Sequence, residues 1–201
     1  MPPPGSAARP GRSHGPMRIV VLVSGSGTNL QAVIDDLHHG EAPVEIVAVG
    51  ADRPCTGLER AEAAGITTFL VRPADHPDRA QWNRVLERAV ASHHPDRVVF
   101  AGFMRIVDAE FVAAFPGLVV NTHPSLLPSF PGAHAVRDAL AYGVKLTGAT
   151  VHEVVADVDA GPILAQVAVA VEDQDTEDTL HERIKTAERQ LLVDCLADLA
   201  R

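Results

Sequence analysis

The sequence predicts an α/β fold of three layers, in which a mostly parallel, twisted sheet carries helices on both faces. Three observations predict it. Short apolar runs such as Ile19-Val20-Val21-Leu22-Val23 alternate along the chain with longer segments whose apolar residues recur at helical spacing. A glycine-rich turn, Ser24-Gly25-Ser26-Gly27, joins the first such run to the first helical pattern. Hydrophobic residues make up 46% of the 201 residues and aromatics only 4%, which suits Val/Ala/Leu-rich helix-on-sheet packing better than a β-sandwich.

The elements follow in order. Residues 1–16 are rich in Pro, Gly, Ser and Arg and lack the apolar stretch of a signal peptide. They read as a disordered extension before a single domain over 17–201. Residues 18–23 form a continuous apolar run, as a strand buried on both faces requires. Leu30, Val33, Ile34 and Leu37 then mark a helix. A strand over 44–49 precedes a short helix over 58–64, which Gly65 closes. A strand over 67–71 precedes a helix over 78–93 with Trp82, Val85, Leu86, Ala89 and Val90 on one face. After a strand over 97–101, Asp108 is placed to cap a helix ending at Phe115. Leu118-Val119-Val120 is a further strand, and a helix over 136–142 ends at Gly143. Two β segments, 147–155 and 163–171, flank a turn containing Gly161-Pro162. Asp175 or Thr176 caps the closing helix. Leu180, Ile184, Leu191, Cys195 and Leu199 lie near its apolar stripe, while His181, Glu182, Lys185, Glu188 and Arg189 read as its solvated face. Strands alternating with helices imply right-handed crossovers within one sheet.

Composition excludes several function classes. A net charge of −9 disfavours a general nucleic-acid or anionic-membrane surface. Cys55 and Cys195 belong to no CxxC, so neither a zinc site nor a disulfide framework is expected. Reduced thiols in a cytoplasmic protein are the plain expectation; the sequence leaves the oligomeric state open between monomer and homodimer. No apolar run has the length of a membrane span, and no cluster of metal ligands is visible.

Four stretches carry candidate chemistry. In Asn121-Thr122-His123-Pro124-Ser125-Leu126-Leu127-Pro128, an amide and an imidazole sit two residues apart at a strand's C-terminal end. Strand side chains alternate with period two, so Asn121 and His123 point the same way. At that edge of an α/β sheet they can meet a ligand's carbonyl. The glycine-rich turn either binds a phosphate through its backbone N–H groups, aided by Thr28 and Asn29, or is a bare tight turn. Its spacing matches neither the dinucleotide fingerprint nor a Walker motif. Residues 102–107 read either as core packing with a surface arginine or as the wall of a flat heterocycle's pocket. His152 reads as structural or catalytic, and Asp157 and Asp159 read as turn residues.

Together VLVSGSGTNLQAVID (21–35), LERAEAAGI (58–66), FAGFMRI (100–106), NTHPSLLPSFPG (121–132), GATVHEV (148–154) and DVDAGPILAQ (157–166) resemble the phosphoribosylglycinamide formyltransferases of purine biosynthesis. The resemblance covers about residues 17–195 and implies a Rossmann-like formyltransferase fold. It implies a catalytic Asn121, His123 and Asp159, so Asp159 is no longer an ordinary turn residue. It places a phosphate loop on Gly27, Thr28 and Asn29, and a glutamate holding the glycinamide ribonucleotide (GAR) end on Glu188, within TAER (186–189). The folate pocket falls on Met104, Arg105, Ile106 and Val107 and on a second loop with Val155, Ala156 and Asp157.

The implied reaction moves the formyl group of 10-formyltetrahydrofolate to the primary amine of GAR, without a metal. The amine is the nucleophile, consistent with the lack of a Ser–His or Cys–His motif. Asn121 and a protonated His123 would donate to the developing oxyanion, with Asp159 keeping the imidazole charged. Three rivals differ in acceptor or class. A formyltetrahydrofolate hydrolase usually carries an amino-terminal regulatory domain, which residues 1–16 are too few to supply. A methionyl-tRNA formyltransferase needs a nucleic-acid domain, at odds with this acidic chain. A non-catalytic binding module has no need of Asn121, His123 and Asp159 together.

Overall fold

The computed structural model of the protein describes residues 15–38 and 43–201. Of the extension expected over 1–16, all but Gly15 and Pro16 lies outside the described residues. Seven strands form one sheet: β1 (Met17–Val23), β2 (Val44–Ala51), β3 (Thr68–Leu70), β4 (Arg97–Phe100), β5 (Val119–His123), β6 (Leu146–Glu153) and β7 (Ile163–Ala170). Their order is β3-β2-β1-β4-β5-β6-β7. The first five pair in parallel, and β6 and β7 are antiparallel to their neighbours. The strand order reverses between β1 and β4. The loops leaving both strands therefore diverge at one edge and leave a crevice there.

Alternation along β1 builds both faces. Ile19, Val21 and Val23 pack under α1 (Thr28–Val33), α2 (Thr56–Ala63) and the end of α6 (Glu177–Ala200). Val20 and Leu22 pack under α3 (Arg79–Ala91) and α4 (Ala109–Ala114) through Trp82, Leu86, Phe111 and Phe115. Farther along the sheet, α5 (Ala135–Tyr142) and α6 meet Ala149 and Val169 of the β6–β7 hairpin. The expected caps form: Asp108 accepts from Phe111 N, and Thr176 joins Thr179 in a capping box; Asp78, expected inside its helix, instead caps α3 by accepting from Gln81 N.

Two expectations change. The first helical pattern is α-helical only to Val33 and continues as a π-helical turn over Ile34–His38, although Ile34 and Leu37 are buried as expected. Glu188 does not belong to a solvated face. It is 7% exposed, on the side of α6 that carries Leu180, Ile184, Leu192 and Cys195. A carboxylate there needs donors, and the site supplies them.

Gly148 fixes how closely β6 and β7 pair. A Cβ there would lie 1.9 Å from the Val167 carbonyl oxygen, which belongs to the paired backbone. We expect Gly148→Ala to cost about 2–3 kcal/mol of stability, in the range of overpacked cores. Urea unfolding checks it, and a loss under about 0.5 kcal/mol would show that the hairpin yields.

Candidate active site

Strand β5 supplies the centre of the site. It lies between β4 and β6, so its backbone is held on both sides. Asn121 and His123 face the α3/α4 side of the sheet, as period two requires, and both line a cleft of about 280 Å³. Asn121 sits opposite His152 of β6, and His123 opposite Thr150. The loop after His123 is pinned to the hairpin rather than held by its prolines alone. Thr150 Oγ1 donates to Ser125 O at 2.7 Å and accepts from Leu127 N, while Gln166 donates to Leu127 O at 2.9 Å.

The hydrogen bonds of the two histidines fix their tautomers. His123 Nε2 lies 2.9 Å from Phe130 O. A carbonyl can only accept, so Nε2 carries a proton and Nδ1 is the nitrogen that gains or loses one. Nδ1 lies 3.4 Å from Asp159 Oδ2. His152 Nδ1 likewise donates to Glu153 O at 2.9 Å. Burial, the largest influence, holds the His152 pKa below the ordinary histidine value, against the opposing pull of the Glu153 carbonyl and Asp159. Neutral His152 therefore accepts at Nε2, and Asn121 Nδ2 lies 3.2 Å away as its donor. This contact sets which end of the Asn121 amide carries the N–H groups.

Asp159 arrives from the β6–β7 turn. The turn is tight: Glu153 N donates to Pro162 O, and a Cβ on Gly161 would sit 1.8 Å from Glu153 O. Asp159 itself has φ 54°, a left-handed conformation that few non-glycine residues adopt and that clusters at functional sites. Gly132 N donates to its Oδ2 at 2.8 Å, so the turn-rich loop after Pro128 closes over the carboxylate. His152 Nε2 lies 3.6 Å from Oδ1. Asn121, His123, His152 and Asp159 thus form one connected group, in which the two histidines are buried and Asn121 and Asp159 are half-buried. The sequence left His152 open between two readings, and the register opposite Asn121 places it in the site.

The cleft also contains every residue expected of the folate pocket: Met104, Arg105, Ile106 and Val107 on one wall, and Val155, Ala156 and Asp157 on the other. The stretch divides between its two readings: Phe103 and Val107 are buried in the core layer under α3 and α4, while Met104 and Ile106 are 74% and 63% exposed along the cleft. Three contacts hold it. Met104 N donates to Ser24 Oγ at 2.8 Å, Arg105 Nε to Asp52 Oδ2 at 2.7 Å, and Arg79 to Ile106 O. Sequence reasoning missed Asp52, whose only signal is its place at the end of β2. Burial pushes its pKa up, but hydrogen bonds from Arg53, Ser24 and Arg105 outweigh burial and keep the carboxyl below its usual range.

The glycine-rich turn lies at the end of β1. Gly27 has φ 67°, and a Cβ there would meet Gly57 Cα at 2.6 Å. Gly27 is therefore required by packing against α2 as well as by the turn. Gly57 N donates to Gly25 O and Arg60 Nε to Ser26 O, which turns two loop carbonyls toward α2. Thr28 opens α1. The Asn29 side chain is not a free donor as expected, because its Nδ2 donates to Glu188 Oε1 at 2.5 Å. No group of three or more His, Cys, Asp or Glu able to hold a metal occurs among the described residues.

The formyl transferase family model matches residues 17–196. The phosphoribosylglycinamide formyltransferase of Mycobacterium tuberculosis (strain H37Rv) is 55% identical over 185 residues, covering 92% of this chain and 86% of that protein. The enzyme of the same name from Escherichia coli (strain K12) is 40% identical over 176 residues, covering 87% and 83%. Glycinamide ribonucleotide transformylase 1 from Symbiobacterium toebii superposes with a TM-score of 0.90 at 41% identity, covering 98% of this chain and 93% of that one. The seven-stranded sheet, the cleft at its edge and this similarity lead to one assignment: the chain belongs to the formyl transferase family.

Proposed function

We propose that the protein is a phosphoribosylglycinamide formyltransferase that moves a formyl group from 10-formyltetrahydrofolate to the amine of GAR, in the cytoplasm, as a monomer or homodimer. The observation that carries the reading is the convergence of Asn121, His123 and Asp159 on one cleft. Its walls, with exposed Met104 and Ile106 above buried Phe100 and Val107, suit a flat heterocycle. The cosubstrate supplies the formyl carbon that the amine attacks.

The chain's own residues then stabilise charge and move a proton. Negative charge grows on the formyl oxygen as the amine adds. Asn121 gives one N–H of Nδ2 to neutral His152, and the second N–H has no partner among the described residues. That N–H is the first oxyanion donor. The second is His123 Nδ1–H, because Nε2 is committed to Phe130 O. Asp159 Oδ2, 3.4 Å from Nδ1, fixes the ring, and Gly132 N holds the carboxylate in place. Asp159 takes the proton that the amine sheds, directly or through a water; as the adduct collapses, the bond from the formyl carbon to N10 of the folate breaks and N10 takes up that proton, which releases tetrahydrofolate. Gly27, Thr28 and Asn29 border the phosphate of GAR, and Glu188, hydrogen-bonded to Asn29, holds the part of the ribonucleotide beside it. Arg105 and Asp157 edge the folate cleft together with Val155 and Ala156.

Product formation with and without GAR tests the reading. Tetrahydrofolate should appear from 10-formyltetrahydrofolate only when GAR is present. Turnover without GAR would make the protein a hydrolase, and no turnover would make it a binding module.

His123→Ala should lower turnover roughly 10²–10³-fold by removing an oxyanion donor. Asp159→Asn keeps the contact to Gly132 N but removes the charge, and should be comparably damaging. The double variant should lose much less than the product of the two losses, since the pair acts as one unit. Steady-state kinetics decides it, and simple multiplication of the losses would separate Asp159 from His123.

His152 makes stability depend on pH. The unfolded chain protonates this imidazole near its ordinary value of 6.5, and the folded chain only at lower pH. Between the two, the unfolded state holds the extra proton, so the stabilisation is complete above 6.5 and is lost as pH falls through the folded value. Denaturant midpoints from about pH 7.5 to 5 should fall more steeply for the native protein than for His152→Asn. Parallel profiles would mean that His152 is not held neutral.

A further inference from the structure

Thr122, between the two cleft residues of β5, faces the other way. Period two sends Asn121 and His123 to the α3/α4 side and Thr122 to the side covered by α6. Its neighbours there show that side to be apolar: Val120 and Val151 pack against Cys195 of α6. Into this layer α6 delivers the buried carboxylate of Glu188. Thr122 Oγ1 donates to Glu188 Oε1 at 2.8 Å, and Asn29 Nδ2 donates to the same oxygen. The other oxygen, Oε2, has no donor among the described residues and is not a sealed buried atom.

We propose that Thr122 is a positioning residue for the acceptor substrate. It pins Oε1 of Glu188 so that Oε2 alone is presented to an O–H or N–H of the ribonucleotide. The inference rests on the reading that Glu188 contacts GAR. With one donor, the carboxylate rotates about the Asn29 contact. With two donors from separate elements converging on one oxygen, its plane is set. The donors come from the helix that opens after the glycine-rich turn and from the strand bearing Asn121 and His123. One short strand thereby holds the oxyanion donors on one face and the orientation of the acceptor's anchor on the other.

Thr122→Val keeps the shape and removes the donor. GAR KM should rise about five- to tenfold, the scale of a lost hydrogen bond to a charged group that retains one partner. kcat at saturating GAR and KM for 10-formyltetrahydrofolate should change less than about twofold. Thr122→Ser, which restores the hydroxyl, should return GAR KM to its original value. Glu188→Gln, measured in parallel, separates the proposal from the reading beneath it. If Glu188→Gln raises GAR KM and Thr122→Val does not, the positioning role is overturned and the Glu188 contact stands. If Glu188→Gln leaves GAR KM unchanged, both are overturned. Parallel losses in kcat and both KM values that serine does not restore would assign Thr122 to packing and overturn the proposal. Should Thr122→Val fail to fold, Thr122→Ala removes the same donor and is read by the same criteria.

Discussion

The site depends on the register of β5. The strand is hydrogen-bonded to β4 on one side and β6 on the other, so it cannot slide without breaking both ladders. A slip of one residue would exchange its faces. Asn121 and His123 would then turn toward α6, and Thr122 would face the cleft. Five residues thus decide what the cleft contains and what α6 meets. The antiparallel β6 matters for the same reason, since it is the strand that sets His152 opposite Asn121.

His123 and His152 are buried at the base of the cleft, where each polar contact counts for more. The two histidines answer this differently. His152 is 2% exposed and stays neutral, with one nitrogen donating to a carbonyl and the other accepting from an amide. His123 has one nitrogen committed to Phe130 and the other facing a carboxylate. The two rings differ in surroundings: each spends one nitrogen on a backbone carbonyl, and the other meets an amide in His152 and a carboxylate in His123.

The loops around the cleft are held from behind. Asp52 ties the 102–107 stretch to the end of β2 through Arg105, and Ser24 ties it to the turn after β1. Gly57 and Arg60 of α2 draw back the carbonyls of that turn. Each anchor comes from an element that does not itself line the cleft. Such support lets a site built on loops keep a fixed geometry.

Local sequence determined the strands, the helices, their caps and the common direction of Asn121 and His123, because periods of 2.0 and 3.6 and capping chemistry act within a few residues. The resemblance added the pairing of His123 with Asp159, and the geometry agrees with it. Three features were decided by tertiary structure alone. The burial of Glu188 follows from the seating of α6 against β5 and α1, where Thr122 and Asn29 supply the donors. Asp52 meets Arg105 across 53 positions, and Asn121 meets His152 across 31. Those contacts depend on the strand order and on the antiparallel return of β6. Both are properties of the assembled sheet, and no local period in the chain encodes which distant segment will lie alongside.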